Sequence, residues 1–209
     1  MTVAPIDPLL IEVPMRLDTP RLVIRCPHAG DGASYFEAVS ASLDALKPWM
    51  PWAHEPQTPE RSEALARRFH ADFIARRDLV MALFLRRADG GEGPLVGGTG
   101  LHRFDWALRR FEIGYWIRSG HGGQGLVTEA VNAVVDMALT QLAARRVEIR
   151  CDDRNRPSWR VAERCGFMLE GVLRNEALDV RGLPRDTRVY ARVDASRPVS
   201  TGAGGPAAP

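Results

Sequence analysis

The chain has 209 residues, a formal net charge of +2 and 45% hydrophobic residues, which suits one well-filled domain and gives no reason to invoke a second. The arginines are interleaved with Asp and Glu instead of gathered into a basic stripe, which argues against nucleic acid as the main target. No apolar run nears the ~20 residues of a membrane span, the N-terminus lacks a signal peptide's basic start, and Cys26, Cys151 and Cys165 have no metal-ligand spacing, so the expected setting is a reducing cytoplasm without membrane or metal.

Residues 1–14 are expected to be loose. A strand is predicted at Leu22 to Arg25 and a helix from about Asp31 into the forties. A second helix begins near Thr58-Pro59, where Thr caps and Pro suits the first turn. Its sequence "ERSEALARRFHADFIARRD" reads as a solvated charged face. Strands at Val80 to Arg86, Leu95 to Leu101 and Arg110 to Ile117 suit an antiparallel meander. The Arg110 to Ile117 run is rich in β-branched and aromatic residues. From Leu126 to Leu142, Ala130, Val134, Met137 and Ala138 recur at helical spacing. A strand near Val147 to Cys151, a short helix ending at Cys165-Gly166-Phe167 and a last strand in "GLPRDTRVYARV" close the domain, 15–193. The tail, 194–209, has the Pro/Gly/Ala/Ser composition of a disordered segment.

Between the strand at Arg110 and the helix at Leu126 lies "RSGHGGQGLVTEA", with four glycines in six positions. The first N–H groups of a helix have no partner inside it and sit at the positive end of its dipole. Glycine lets an anion reach them, so this is the composition of a phosphate cradle, although a tight turn with a capped helix has the same composition. Leu126 and Val127 stand where a Walker loop needs Lys and Ser/Thr, and the dinucleotide fingerprint also fails.

The stretch "GYWIRSGHGGQGLVTEA" resembles the acyl-CoA loop of the GNAT N-acyltransferases. Downstream, "RRVEIRCDDRNRPSWRVAERCGFMLEGVLRNE" resembles the second half of that superfamily. "LDTPRLVIRCP" and "LKPWMPWA" are similar to its RimJ/RimL-type branch, which acts on ribosomal-protein N-termini. The resemblance spans roughly residues 15–193. It implies an α+β fold with a mixed, mostly antiparallel central sheet flanked by helices, in which a splayed strand pair holds acyl-CoA. It also implies a soluble enzyme that moves an acyl group, by default from acetyl-CoA, to a protein N-terminus or a small amine; a homodimer is left open. The main chain of Trp116, Ile117 and Arg118 would follow the pantetheine arm. The N–H groups of Gly122, Gly123, Gln124, Gly125, Leu126, Val127 and Thr128 would surround the pyrophosphate, and Asn155 and Ser158 would meet the arm and the sulfur. The family loop usually carries Gln or Arg at position 122 and Gly or Ala at 127, so Gly122 and Val127 depart from it.

Three side chains are candidates for the chemistry. Glu112 shares a strand face with Gly114 and Trp116 and is the first candidate for a base acting through water, or else an ion-pair partner of Arg103, Arg109 or Arg110. Ser158 suits a donor to the leaving thiolate or an N-cap. Glu176 lies near an acidic position of the ribosomal-protein branch, in a register uncertain by one residue. Trp49, Trp52, His102, Phe104 and Trp106 offer an acceptor channel or ordinary loop anchors. Two other functions fit the same residues: a non-catalytic acyl-CoA-binding module, and a transferase for succinyl or another acyl group.

Overall fold

The computed structural model describes residues 7–194. Eight strands form one sheet: β1 (Arg16–Asp18), β2 (Leu22–Arg25), β3 (Leu79–Arg86), β4 (Glu92–Asp105), β5 (Arg110–Ile117), β6 (Arg146–Asp152), β7 (Met168–Leu178) and β8 (Pro184–Val193). Their spatial order is β1-β2-β3-β4-β5-β6-β8-β7. Every neighbouring pair is antiparallel except β5 and β6, which run parallel. The parallel step needs a crossover, and α4 (Leu126–Thr140) supplies it.

α4 presents Leu126, Ala130, Val131, Val134, Val135 and Ala138 to the sheet. They are buried in the main core with Phe111, Ile113, Val147 and Ile149. On the other face lie α1 (Gly32–Ser40) and α3 (Pro59–Ile74) over a smaller core of Val23, Tyr35, Ala66, Phe84 and Leu95. These two helices touch at Gly32, where a Cβ would meet the Glu63 backbone at 2.5 Å. The Glu63 carboxylate accepts the Gly30 and Gly32 N–H groups, covering donors that α1 cannot satisfy itself.

Several boundaries differ from the expected ones. The helix from Asp31 stops at Ser40; the Ser42 hydroxyl bonds back to the Ala38 carbonyl, and the short α2 (Leu43–Leu46) follows. β1 and β7 lie outside the expected elements: β1 has three residues, and β7 has no alternation of buried and exposed positions. Of residues 7–14, expected to be loose, Leu9 and Leu10 are exposed. Val13 is buried and the Ile11 carbonyl accepts two N–H groups from Arg76. Residues 1–6 and the tail from 195 lie outside the described residues.

Candidate active site

β5 and β6 pair only at Arg110 with Arg146, Phe111 with Val147 and Glu112 with Glu148. Beyond that point the two strands are no longer partners, although β5 continues to Ile117 and β6 to Asp152. This parting matches the expected splay. Parity decides which groups border it. The Arg118 N–H goes to the Val96 carbonyl and the Gly114 carbonyl accepts from Thr99 on the β4 side. Main-chain groups alternate along a strand, so those of Tyr115 and Ile117 turn toward the gap. Of the three residues expected along the arm, Ile117 therefore offers its main chain; Trp116 and Arg118 turn theirs to β4. The Arg118 side chain is held by Glu37 at 2.7 Å.

The glycine loop leads from the open end of the gap into α4. Gly120, Gly123 and Gly125 have φ of +87°, +75° and +78°, a region closed to most side chains. Gly125 is the N-cap of α4 and brings no side-chain cap. The N–H groups of Leu126, Val127 and Thr128 thus begin the helix at its positive end. Beside them, Arg21 donates to the Gln124 carbonyl at 2.8 Å and pairs with Glu129 at 2.6 Å. A cation from the residue before β2 is thereby fixed next to the loop. The Gln124 side chain bonds within the loop, to the Gly120 carbonyl. His121 Nδ1 and Thr128 Oγ1 are buried without a hydrogen-bond partner among the described residues, which is costly unless something outside the chain meets them.

Across the gap, α5 (Arg156–Arg164) starts at Asn155. The Asn155 Oδ1 accepts the Ser158 N–H at 3.2 Å. Asn155 is therefore the N-cap, and the capping alternative for Ser158 is corrected: Ser158 lies one turn in. Its hydroxyl lies 3.2 Å from the Tyr115 hydroxyl, which donates to the Ser158 carbonyl at 2.9 Å. Ser158 so joins the β5 and β6 sides of the gap. Burial raises the Tyr115 phenol well above its usual range. Burial also pushes the neighbouring Cys151 thiol up to about 11, against a lowering contact from Ser158. At pH 7 the protonated thiol therefore dominates at Cys151.

On the α1/α3 face a cleft of about 740 Å³ opens beside the same stretch of β5, within the range of small-ligand sites. Tyr35, Trp52, Phe69 and Trp116 contribute aromatic walls, and Asp78 and His102 polar ones. Gly98 makes room for the Trp116 indole, since a Cβ there would lie 2.5 Å from Nε1. Trp52 meets Trp116 edge-on with centroids 6.2 Å apart. The expected acceptor residues thus divide. Trp52 and His102 line the cleft, whereas Phe104 and Trp106 form an aromatic cluster with Phe111 against the main core.

Both carboxylate candidates are paired. Glu112 accepts from Arg103 at 2.9 and 3.2 Å, one of the ion pairs expected for it. Glu176 accepts from Arg150 at 2.6 Å and from Thr187 at 2.8 Å. The Thr187 hydroxyl, with Arg150 next, holds the Glu176 carboxyl below the usual carboxylate range. Beside Glu176 the β7–β8 ladder shifts between Leu173 and Ala177, where β7 holds two residues more than β8, and Asn175 adopts φ of +49°, so an irregular bulge re-aims its neighbours.

The acetyltransferase (GNAT) domain model matches residues 21–168. The chain belongs to the GNAT acetyltransferase family. It is 28% identical over 171 residues to YdaF of Bacillus subtilis (strain 168), provisionally named a ribosomal N-acetyltransferase, covering 81% of this chain and 90% of that one. To the ribosomal-protein-serine acetyltransferase of Escherichia coli (strain K12) it is 35% identical over 107 residues, 49% of this chain and 56% of the relative. The structure of Mycobacterium smegmatis RimJ in complex with CoA-disulfide matches with a TM-score of 0.71 at 26% identity, covering 86% of this chain and 85% of that one.

This GNAT acetyltransferase takes acetyl-CoA as co-substrate and transfers its acyl group to an amine. Three parts of its site were not legible beforehand. Arg21 reaches the loop from 103 residues away, and no local pattern announces it. Tyr115 looked like a strand aromatic. Asp78 gave no signal, because its partner His102 lies 24 residues further on. Among the described residues, no group of three or more His, Cys, Asp and Glu is placed for a metal ion, and no helix is long and apolar enough to cross a membrane.

Proposed function

We propose that this enzyme acetylates the α-amino group of a protein N-terminus in the cytoplasm, with a ribosomal protein as the acceptor that the names of its relatives indicate. One observation carries the reading. The parting of β5 and β6 after Glu112 lies between the glycine loop and the α1/α3 cleft, so a thioester and an amine have separate approaches to one point. The cleft, of about 740 Å³, has the volume of a small-ligand site. An α-amine, with pKa near 8, is also far easier to use in its neutral form than a lysine near 10.4.

In this reading the main-chain donors from Gly122 to Thr128 receive the pyrophosphate, supported by the buried Thr128 hydroxyl and the Arg21 cation. The Trp116 to Arg118 stretch borders the arm, chiefly through Ile117. Asn155, with Oδ1 taken by its cap, contributes its amide donor. Ser158 donates to the leaving sulfur, where charge develops as the C–S bond breaks. Glu112 and Glu176, each held by an arginine, act as fixed counter-charges at the apex of the gap.

The test is release of free thiol from acetyl-CoA, with mass spectrometry of the product, across peptides that begin with Ser or Ala. Half carry a free N-terminus, and half are blocked but contain lysine. Acetylation confined to free N-termini supports the reading, whereas acetylation of the blocked peptides refutes it. Binding of acetyl-CoA without thiol release would make the chain a binding module instead.

A further inference from the structure

Asp78 and His102 form a pair in the cleft that the scheme above leaves without a task. Asp78 immediately precedes β3 and His102 lies on β4; Asp78 Oδ1 stands 2.5 Å from His102 Nδ1. An ionised carboxylate only accepts hydrogen bonds, so Nδ1 carries the proton toward Asp78. A neutral imidazole held this way has its lone pair on Nε2. The location of that atom is well defined. The ring lies over Gly114, where a Cβ would sit 3.2 Å from both Cδ2 and Nε2. Any larger residue at 114 would push the imidazole away. Gly114 is two positions past Glu112, the last residue of β5 paired with β6, and it lines the cleft together with His102 and Asp78.

We propose that His102 is the catalytic base of this transferase and Asp78 its positioning residue. The proposal rests on the cleft being the acceptor site. As the amine nitrogen bonds to the thioester carbonyl carbon, Nε2 takes a proton from that nitrogen. The C–S bond then breaks and its electron pair leaves with sulfur, which gains a proton from solvent through the Ser158 hydroxyl. His102 returns its own proton to solvent, so thioester and amine become amide and thiol with no net proton change. The charged and titratable groups around the imidazole are Asp78, bonded to it, and Glu112, its partner across the β4–β5 ladder, with Arg103; Arg68, Arg61, Glu55 and Tyr35 line the same cleft. Glu112 is bonded to Arg103, whereas among the described residues only Nδ1 of His102 has a hydrogen-bond partner and Nε2 beside Gly114 has none.

The experiment measures kcat/KM between pH 6 and 9.5 with acetyl-CoA and a peptide whose one amine is an N-terminal serine. It compares wild type with His102→Gln, Asp78→Asn and Asp78→Glu, alongside acetyl-CoA affinity and melting temperature. His102→Gln is expected to lower kcat/KM about 100-fold near pH 7, with acetyl-CoA affinity unchanged. The deficit should narrow as pH rises, because hydroxide then takes the proton from the attacking nitrogen in place of Nε2. Asp78→Asn should lower kcat, since an amide can donate to Nδ1 and favour the wrong tautomer, and Asp78→Glu should recover part of it. Wild-type turnover with an undiminished rate in His102→Gln overturns the base alone. So does a loss that is equal at every pH and tracks melting. Absence of turnover in wild type, with acetyl-CoA bound, overturns the acceptor reading and the base with it.

Discussion

Arg25 joins a partner nearby in the chain to one 67 residues away. It is buried on β2, yet it donates to Asp31 through both Nη atoms at 2.7 and 2.8 Å and to Glu92 through Nε and Nη2. Burial alone would raise the Asp31 carboxyl, but the Arg25 guanidinium and the His28 amide outweigh it and the carboxyl is held low. A lowered carboxylate adds stability that is complete above its unfolded value near 3.9 and is lost as pH falls through the folded one. Asp31 thus stabilises the protein at neutral pH and ceases to do so only below about pH 4. Removing one member of a buried pair costs about 3–5 kcal/mol. Because Glu92 still holds Arg25, Asp31→Asn is expected near the lower end, about 3 kcal/mol, read from urea melts at pH 7. The difference from wild type should close below pH 4, and a variant as stable as wild type at pH 7 would show the pair to be idle. Gly98 offers a second test at this scale. Gly98→Ala drives a methyl against the Trp116 indole, so the KM for the peptide should rise several-fold with acetyl-CoA affinity unchanged. Equal loss for both substrates would mean that the cleft wall at Trp116 does not serve the peptide alone.

At the scale of elements, legibility followed local chemistry. Thr58 caps α3, its hydroxyl accepting the Arg61 N–H at 3.1 Å, as the Thr-Pro start predicts. Thr58→Ala should lower stability by about 1 kcal/mol, and no shift in the urea midpoint would show that the Pro59 start suffices. The strand–loop–helix at 110–140 was legible because glycine, β-branched and helical patterns each follow their own period. β7 was not, since its outward residues include Leu169, Val172, Leu173 and Leu178 as well as charges, so no alternation marks it. The bulge at Asn175 was invisible for a related reason: inserted residues change the strand pairing without changing composition. Asn155 and Ser158 could exchange capping roles on paper. The proline at 157 places the first turn so that the earlier residue caps.

For the molecule as a whole, one parallel step in an otherwise antiparallel sheet creates the site. The crossover through α4 starts a helix at the mouth of the gap, so the main-chain donors of the loop and the parting of β5 and β6 have a common origin. The same sheet carries the cleft on its opposite face, with glycines at 98 and 114 keeping it thin. The central claim is that acetyl-CoA is held mainly by loop main chain. Calorimetric titration of acetyl-CoA into wild type, Gly125→Pro and Gln124→Ala tests it most directly. Proline cannot adopt the +78° φ of Gly125, so binding should be lost in Gly125→Pro, provided its circular dichroism matches wild type. Gln124→Ala, which removes only a side chain bonded within the loop, should bind within about threefold of wild type, a change under 1 kcal/mol. Equal affinities for the two folded variants would contradict the claim.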